Sequence, residues 1–201
     1  MKRLGALALL LFFPAVPAAE KPLPRLILVI SIDQMRFDYL TRFEPLYKGG
    51  LKTLLDRGAV FTNAMYRHAN TETGPGHSVI LSGRHPSSSG IVANLWYDPL
   101  LKKVLNVVDD PAHAPLGGPG RAASPANFLG FTVGDRIRQK WPDSRVVGVG
   151  IKDRSAILTT GRRATAAYWF ETGCGCFITS TYYAKKAPGW LVEFNKRKPA
   201  D

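Results

Sequence analysis

Three stretches of this sequence hold hydroxyl, carboxylate and cationic side chains at spacings that could do chemistry. The first is Ser31-Ile32-Asp33, an abrupt polar end to an apolar run. In open α/β sheets, sites gather at the carboxyl ends of strands, so Asp33 is a candidate metal ligand; a lone Asp there also serves as a helix N-cap. The second is Thr71-Glu72-Thr73-Gly74-Pro75-Gly76-His77. Pro75 suits the first turn of a helix, which puts the Thr73 hydroxyl just before a helix N-terminus, where free N–H groups and the dipole favour an anion. Thr73 is then either a cap, or a nucleophile whose alkoxide a metal stabilises and whose attacked phosphate sits on those N–H groups. The third is Lys152-Asp153-Arg154. On an extended segment, residues i and i+2 project to one side, so an ammonium and a guanidinium would face one point, as phosphoryl oxygens require. The bland alternative is a pair of surface cations. The chain has no Walker A loop, no G-x-G-x-x-G, no G-x-S-x-G and no H-E-x-x-H. Of its four His, only His77 lies in a motif, and His68, His85 and His113 show no mutual ligand spacing.

The elements that must position these residues alternate between strand and helix. Arg25 to Asp33 is apolar without alternation, which predicts a strand inside a parallel sheet covered by helices. Phe37 to Phe43 predicts a short helix, and Gly50 to Arg57 an amphipathic one, with Leu51, Leu54 and Leu55 at helical spacing and Gly58 as its stop. Ala59 to Met65 predicts a returning strand. A helix runs from Pro75 towards Gly83, and Leu95 to Asp109 predicts a hairpin around Asp98-Pro99. Residues 111–126, rich in Pro, Gly and Ala, predict a long loop. Phe131 to Trp141 predicts a helix, Val146 to Lys152 a second buried strand, and Ser155 to Thr160 a helix. Tyr168 to Phe170 and Phe177 to Thr179 predict short strands, and Pro188 to Lys196 a final helix. The expected class is α/β: a mostly parallel sheet flanked by helices.

Composition narrows the function classes. With 45% hydrophobic and 21% charged residues, 201 residues make one domain or one piece of a larger domain, and disorder, collagen and coiled coil are excluded. The net charge of +12 invites a nucleic-acid partner. Its basic residues are scattered, however, with no zinc-finger spacing and no basic stripe interleaved with aromatics, so no nucleic acid is expected; the charge suits a solvated surface or attraction of anionic substrates. Cys174 and Cys176, the two cysteines, lack the partners of a structural zinc site. A bridge across one residue would be strained, so they are expected as small residues in a tight turn or strand, with a labile disulfide in an oxidising compartment as the alternative. Met1-Lys2-Arg3, an apolar run from Leu4 to Phe13 and small residues to Ala19 form a signal-peptide pattern over residues 1–18, with cleavage after Ala18. The run is too short to span a bilayer. A periplasmic or secreted protein with no stable membrane anchor after cleavage is expected; the oligomeric state is not set by the sequence.

Four motifs in order carry a resemblance: Ile32-Asp33-Gln34-Met35-Arg36, Thr71-x-Thr73-Gly74-Pro75-Gly76-His77, Asn94-x-Trp96-Tyr97-Asp98 and Ile151-Lys152-Asp153-Arg154. The later Phe177 to Tyr183 adds to it. From about Arg25 onward the chain resembles the N-terminal part of the phosphate-irrepressible alkaline phosphatases, in the type I phosphodiesterase/nucleotide pyrophosphatase branch of the alkaline phosphatase superfamily. The resemblance implies zinc-dependent hydrolysis of small phosphate monoesters through a phosphothreonine intermediate. Asp33 and Thr73 would be zinc ligands, Thr73 also the nucleophile, and Asn94, Lys152 and Arg154 would hold phosphoryl oxygens. A K-x-R clamp suits a monoester dianion better than a diester. A phosphodiesterase or nucleotide pyrophosphatase is the enzymatic alternative. The family's two-zinc site takes most of its Asp and His ligands from a later half, for which this chain has no matching Asp-x-x-x-His or Asp-His pair. Residues 19–201 are therefore expected to be the N-terminal part of the catalytic domain, zinc-poor and inactive alone, or a non-catalytic anion-binding remnant.

Overall fold

The computed structural model describes residues 24–198. The signal segment expected over residues 1–18 lies outside the described residues. The chain divides into two compact units, Met1–Tyr47 and Lys48–Asp201.

In the first unit, the apolar run of Arg25 to Asp33 is not the strand its composition predicts. It enters no ladder among the described residues, and Leu26, Ile27, Leu28, Val29 and Ile30 are exposed. A strand is held by the backbone of its neighbours, and this unit describes no second strand to supply one. The run ends at a turn where Gln34 adopts a left-handed φ of 62°. Helix α1 (Tyr39–Arg42) follows, shorter than the predicted helix, then a 3-10 turn over Glu44–Leu46. The Tyr47 hydroxyl donates to the Tyr39 carbonyl at 2.7 Å and ties the end of this unit to α1.

The second unit opens with α2 (Gly50–Arg57), which has the bounds its apolar spacing predicts. The strand predicted over Ala59 to Met65 is absent for the same reason as the first: among the described residues nothing pairs with it, and Val60, Phe61 and Met65 are exposed. Next come α3 (Thr73–Ser82) and α4 (Pro86–Ser89). Gly83 ends α3 with a left-handed φ of 64°, a conformation that glycine takes without strain. The predicted hairpin is present as β1 (Leu95–Asp98) and β2 (Lys103–Asn106), in antiparallel register from Leu95 opposite Asn106 to Asp98 opposite Lys103. Asp98 closes its turn by accepting the N–H groups of Leu100 and Leu101 at 2.8 and 2.9 Å.

The main sheet is built from β3 (Pro115–Leu116), β4 (Val147–Gly150), β5 (Ala166–Glu171) and β6 (Cys176–Ser180), in the order β3-β6-β5-β4. Helices α5 (Val133–Lys140), α6 (Asp153–Thr160) and α7 (Gly189–Lys196) accompany it. The class is α/β as expected, and among the described residues the sheet is mixed: β4–β5 is parallel, while β5–β6 and β3–β6 are antiparallel. Trp169, Ile178, Ala156, Ile157 and Leu158 form the core with Ile91, Val107, Val108 and Phe128. Sheet, α6 and the segments around β1–β2 thus share one apolar interior.

Strand β4 departs from the buried strand predicted there. It is the sheet edge, and Val147, Val149 and Ile151 are exposed. Its alternation is of size, not polarity: Gly148 is buried, and a Cβ there would run into the Ala156 carbonyl and the Thr160 methyl. The missing side chain lets α6 pack directly on the strand backbone, which fixes the height of the α6 N-terminus above the sheet.

A buried carboxylate locks α5 to α6. Thr132 caps α5 in a capping box with Asp135. Asp135, fully buried, accepts the Thr132 N–H at 2.8 Å and those of Arg162 and Arg163 beyond α6, while the Thr132 hydroxyl donates to the Thr160 carbonyl at 3.0 Å. Asp135→Ala would strand these backbone donors, and is expected to cost on the order of 2–4 kcal/mol of stability. Urea unfolding should show a lower midpoint at unchanged slope. A loss below about 0.5 kcal/mol, the size of a neutral surface change, would refute this role.

The two cysteines are joined, contrary to expectation. Gly175 takes a left-handed φ of 62° at the β5–β6 turn, and this brings the Cα atoms of Cys174 and Cys176 to 5.2 Å, within bridging range. The tight turn is as expected; the bridge is not, because the left-handed glycine between the cysteines brings them within reach without the strain an extended C-x-C would carry.

Candidate active site

Thr73 is the first residue of α3 and is buried, with 8% of its surface exposed. It is therefore inside the helix and does not precede it; Glu72 occupies the cap position. His77, also buried, places Nδ1 2.8 Å from the Thr73 carbonyl and braces this first turn. The Glu72 carboxylate does not cap the helix but accepts the Asn94 N–H at 2.7 Å. The Asn94 Oδ1 in turn accepts the Gly74 N–H at 2.7 Å. Two bonds therefore clasp Asn94 against the start of α3. With Oδ1 committed, the Asn94 amide group turns its NH₂, which can only donate, elsewhere. Gly74 leaves room for this approach, because a Cβ there would lie a tight 3.1 Å from Asn94 Oδ1.

Lys152 and Arg154 reach the site differently from the extended arrangement predicted. Lys152 is the N-cap of α6, with extended backbone angles, but Asp153 and Arg154 already belong to the helix. The two cations thus fan out from a helix start, because the chain turns into α6 immediately after Lys152. Helices α3 and α6 pack together with these N-terminal ends in reach of each other, and the Lys152 ammonium donates to Thr73 Oγ1 at 3.4 Å. Arg154 is mostly buried, its Nη1 is 3.4 Å from Asp153 Oδ1, and its Nε is buried with no hydrogen-bond partner. A buried, unpaired guanidinium donor is costly unless something anionic meets it.

Thr73, Asn94 and Lys152 are thus brought together, with Arg154 on the same helix start as Lys152. Asp33 lies in the turn after the apolar run of the first unit. Among the described residues, no three His, Cys, Asp or Glu side chains come together as a metal site. A catalytic zinc takes about three protein ligands, so the donors described here do not make up a zinc site by themselves. A groove of about 440 Å³ lined by Leu81, Arg84, Phe131, Arg136 and Trp141 includes none of the candidates. Sequence reasoning missed Glu72, which accepts the Asn94 N–H, and Asp153, which meets Arg154. Both sit inside the motifs named above and could have been weighed there.

The α/β fold is that of the alkaline-phosphatase-like proteins. It superimposes with a TM-score of 0.80 on the crystal structure of the alkaline phosphatase PafA, at 40% identity, covering 83% of this chain and 33% of that one. A PafA variant with one Thr, one Asn, one Lys and one Arg replaced matches equally well, at 37% identity, with 84% of this chain and 34% of that chain covered. The chain belongs to the type I phosphodiesterase / nucleotide pyrophosphatase family, whose model matches residues 27–201. Among curated relatives, it is 39% identical to alkaline phosphatase PafA of Elizabethkingia meningoseptica, over 88% of this chain and 33% of the relative. It is likewise 39% identical to alkaline phosphatase PhoV of Synechococcus elongatus, over 87% of this chain and 32% of the relative. The chain spans about a third of the length of these relatives. Among the described residues, no helix is long and apolar enough to cross a membrane.

Proposed function

We propose that the protein hydrolyses small phosphate monoesters through a phosphothreonine intermediate on Thr73, outside the cytoplasm. The observation that carries this reading is the Lys152 ammonium 3.4 Å from a buried Thr73 hydroxyl at the N-terminus of α3. Beside that pair, the clasped Asn94 offers an amide donor and Arg154 an unpartnered Nε. In the reaction, Thr73 Oγ1 forms a bond to phosphorus as the ester P–O bond breaks. The hydroxyl proton passes to solvent, and the departing alkoxide takes one up. Water then cleaves the Thr73 ester, releasing inorganic phosphate and restoring the hydroxyl. Lys152, Arg154 and Asn94 hold the three non-bridging oxygens, and the helix end adds its dipole, so the charge of the loose transition state is met by fixed donors.

The similarity to the alkaline phosphatases PafA and PhoV supports phosphoester hydrolysis. The four residue types replaced in the PafA variant are those of Thr73, Asn94, Lys152 and Arg154, in the same order and with the same spacing within each pair. The family resemblance implies zinc, for which Asp33 and Thr73 are the candidate ligands. Export rests on the signal pattern of residues 1–18, and residues 19–201 are read as part of the catalytic domain. The diesterase reading stays as the alternative because the family description includes it.

The test is chemical trapping. Active protein mixed with a phosphate monoester and quenched in acid should carry one phosphoryl group on the peptide containing Thr73, located by mass spectrometry. Steady turnover without phosphoryl on Thr73 at any quench time would overturn the proposal.

A further inference from the structure

Arg154 does not stand alone. Asp153 Oδ1 accepts the Arg154 backbone N–H at 2.7 Å and lies 3.4 Å from its Nη1, so this carboxylate wraps around the α6 start onto the side chain next to it. Successive helix residues do not ordinarily face each other, and something must hold Asp153 in that pose. A second cation, Arg121, faces the other carboxylate oxygen. Its Nε lies 3.7 Å from Asp153 Oδ2, and its Nη1 donates to Asp109 Oδ1 at 2.7 Å. Asp109 is itself fixed, since its Oδ2 accepts the Asn106 N–H at the end of β2 at 2.8 Å. The four charges alternate: Asp109, Arg121, Asp153, Arg154.

The loop that delivers Arg121 is built for close seating. A Cβ on Gly118 would lie 2.6 Å from the Cys176 sulfur and 3.2 Å from the Cys174 sulfur, and one on Gly120 would run into Ile178 and Glu171. The Pro- and Gly-rich stretch is thus a fitted strap over β6 and its disulfide, and it ends at Arg121.

The geometry points to Arg121 as a positioning residue for the phosphoryl clamp, acting through Asp153 on the Arg154 guanidinium. This rests on the reading of Arg154 as a phosphoryl ligand. Shared between two guanidinium groups, the Asp153 carboxylate orients Arg154 without cancelling its charge. Without Arg121, Asp153 would pair with Arg154 alone and also repel an incoming anion. Arg121 is held above the ordinary arginine range, chiefly by its hydrogen bond to Asp109, with burial opposing and the charges of Asp109 and Asp153 adding.

The Arg154 Nε–H resonance reports this directly in the full chain. It is assigned by its loss in Arg154→Lys and followed during titration with inorganic phosphate. Arg121→Gln is expected to move that resonance before any phosphate is added and to weaken phosphate binding roughly tenfold, as for neighbours in one ion-pair network. Arg121→Lys, which keeps the charge but loses the fork, should recover part of both. Should Arg121→Gln not fold, Asp109→Asn removes only the outer anchor and should shift the resonance less, in the same direction. An unchanged Arg154 resonance and phosphate affinity in Arg121→Gln would overturn the role of Arg121 alone. Phosphate leaving the Arg154 resonance untouched in the unaltered chain would overturn the clamp, and this proposal with it.

Discussion

Thr73→Ala is expected to reduce kcat for an activated aryl phosphate in the active enzyme by at least roughly a thousandfold, since it removes the atom that would form the covalent intermediate. Thr73→Ser should retain a measurable part of the activity. Its hydroxyl survives, but loss of the methyl group loosens a side chain now buried against its neighbours, and positioning errors of that kind are costly. The competing role is structural. Thr73 sits in the first turn of α3, and its carbonyl is engaged by His77 through the backbone, which alanine preserves. Stability and activity therefore separate: the alanine variant should unfold close to the unaltered protein while losing turnover. A variant that keeps its kcat would make Thr73 a helix residue and nothing more.

Removing either cation of the clamp is the second large effect. Lys152→Ala or Arg154→Ala should each cost about 2–4 kcal/mol of transition-state stabilisation, by analogy with the loss of an oxyanion donor. The two losses should differ in kind. Lys152 touches Thr73 Oγ1, so its removal also disturbs the nucleophile. Arg154 is joined to Asp153, so its removal leaves that carboxylate paired with Arg121 alone. Both losses should be larger for a monoester than for a matched diester, because the diester carries less charge for the clamp to meet. Comparing kcat/KM for the two aryl esters decides this. Equal losses on both substrates would favour the diesterase alternative.

How the site is assembled separates what is written locally from what is not. Helix α2 has the bounds its Leu spacing predicts, and α3 ends at Gly83 as predicted, because an amphipathic period and a left-handed stop act within a few residues. The β1–β2 hairpin is equally local: Asp98 closes its own turn. Thr73, Asn94, Lys152 and Arg154 were legible as candidates because hydroxyl, amide and cations stood beside helix-start and strand-end signals and in the order of a known family. Tertiary structure decided the rest. Whether an apolar run becomes a strand depends on a neighbouring backbone, so Arg25 to Asp33 and Ala59 to Met65 could not be judged from hydropathy. Among the described residues nothing pairs beyond β4, and its exposed valines follow from that edge position. Lys152 and Arg154 stand at a helix start and not along a strand, since the chain turns into α6 immediately after Lys152. Asn94 acquires a fixed donor direction only when Gly74, twenty residues away, binds its oxygen. Arg121 meets Asp153 across a loop with no signal of its own. The sequence by itself determined the bounds of α2, the stop of α3, the hairpin, the family and the chemical groups at hand. Their distances and pairings belong to the tertiary structure, because contacts between distant segments depend on burial and ladder geometry that no short stretch of residues contains.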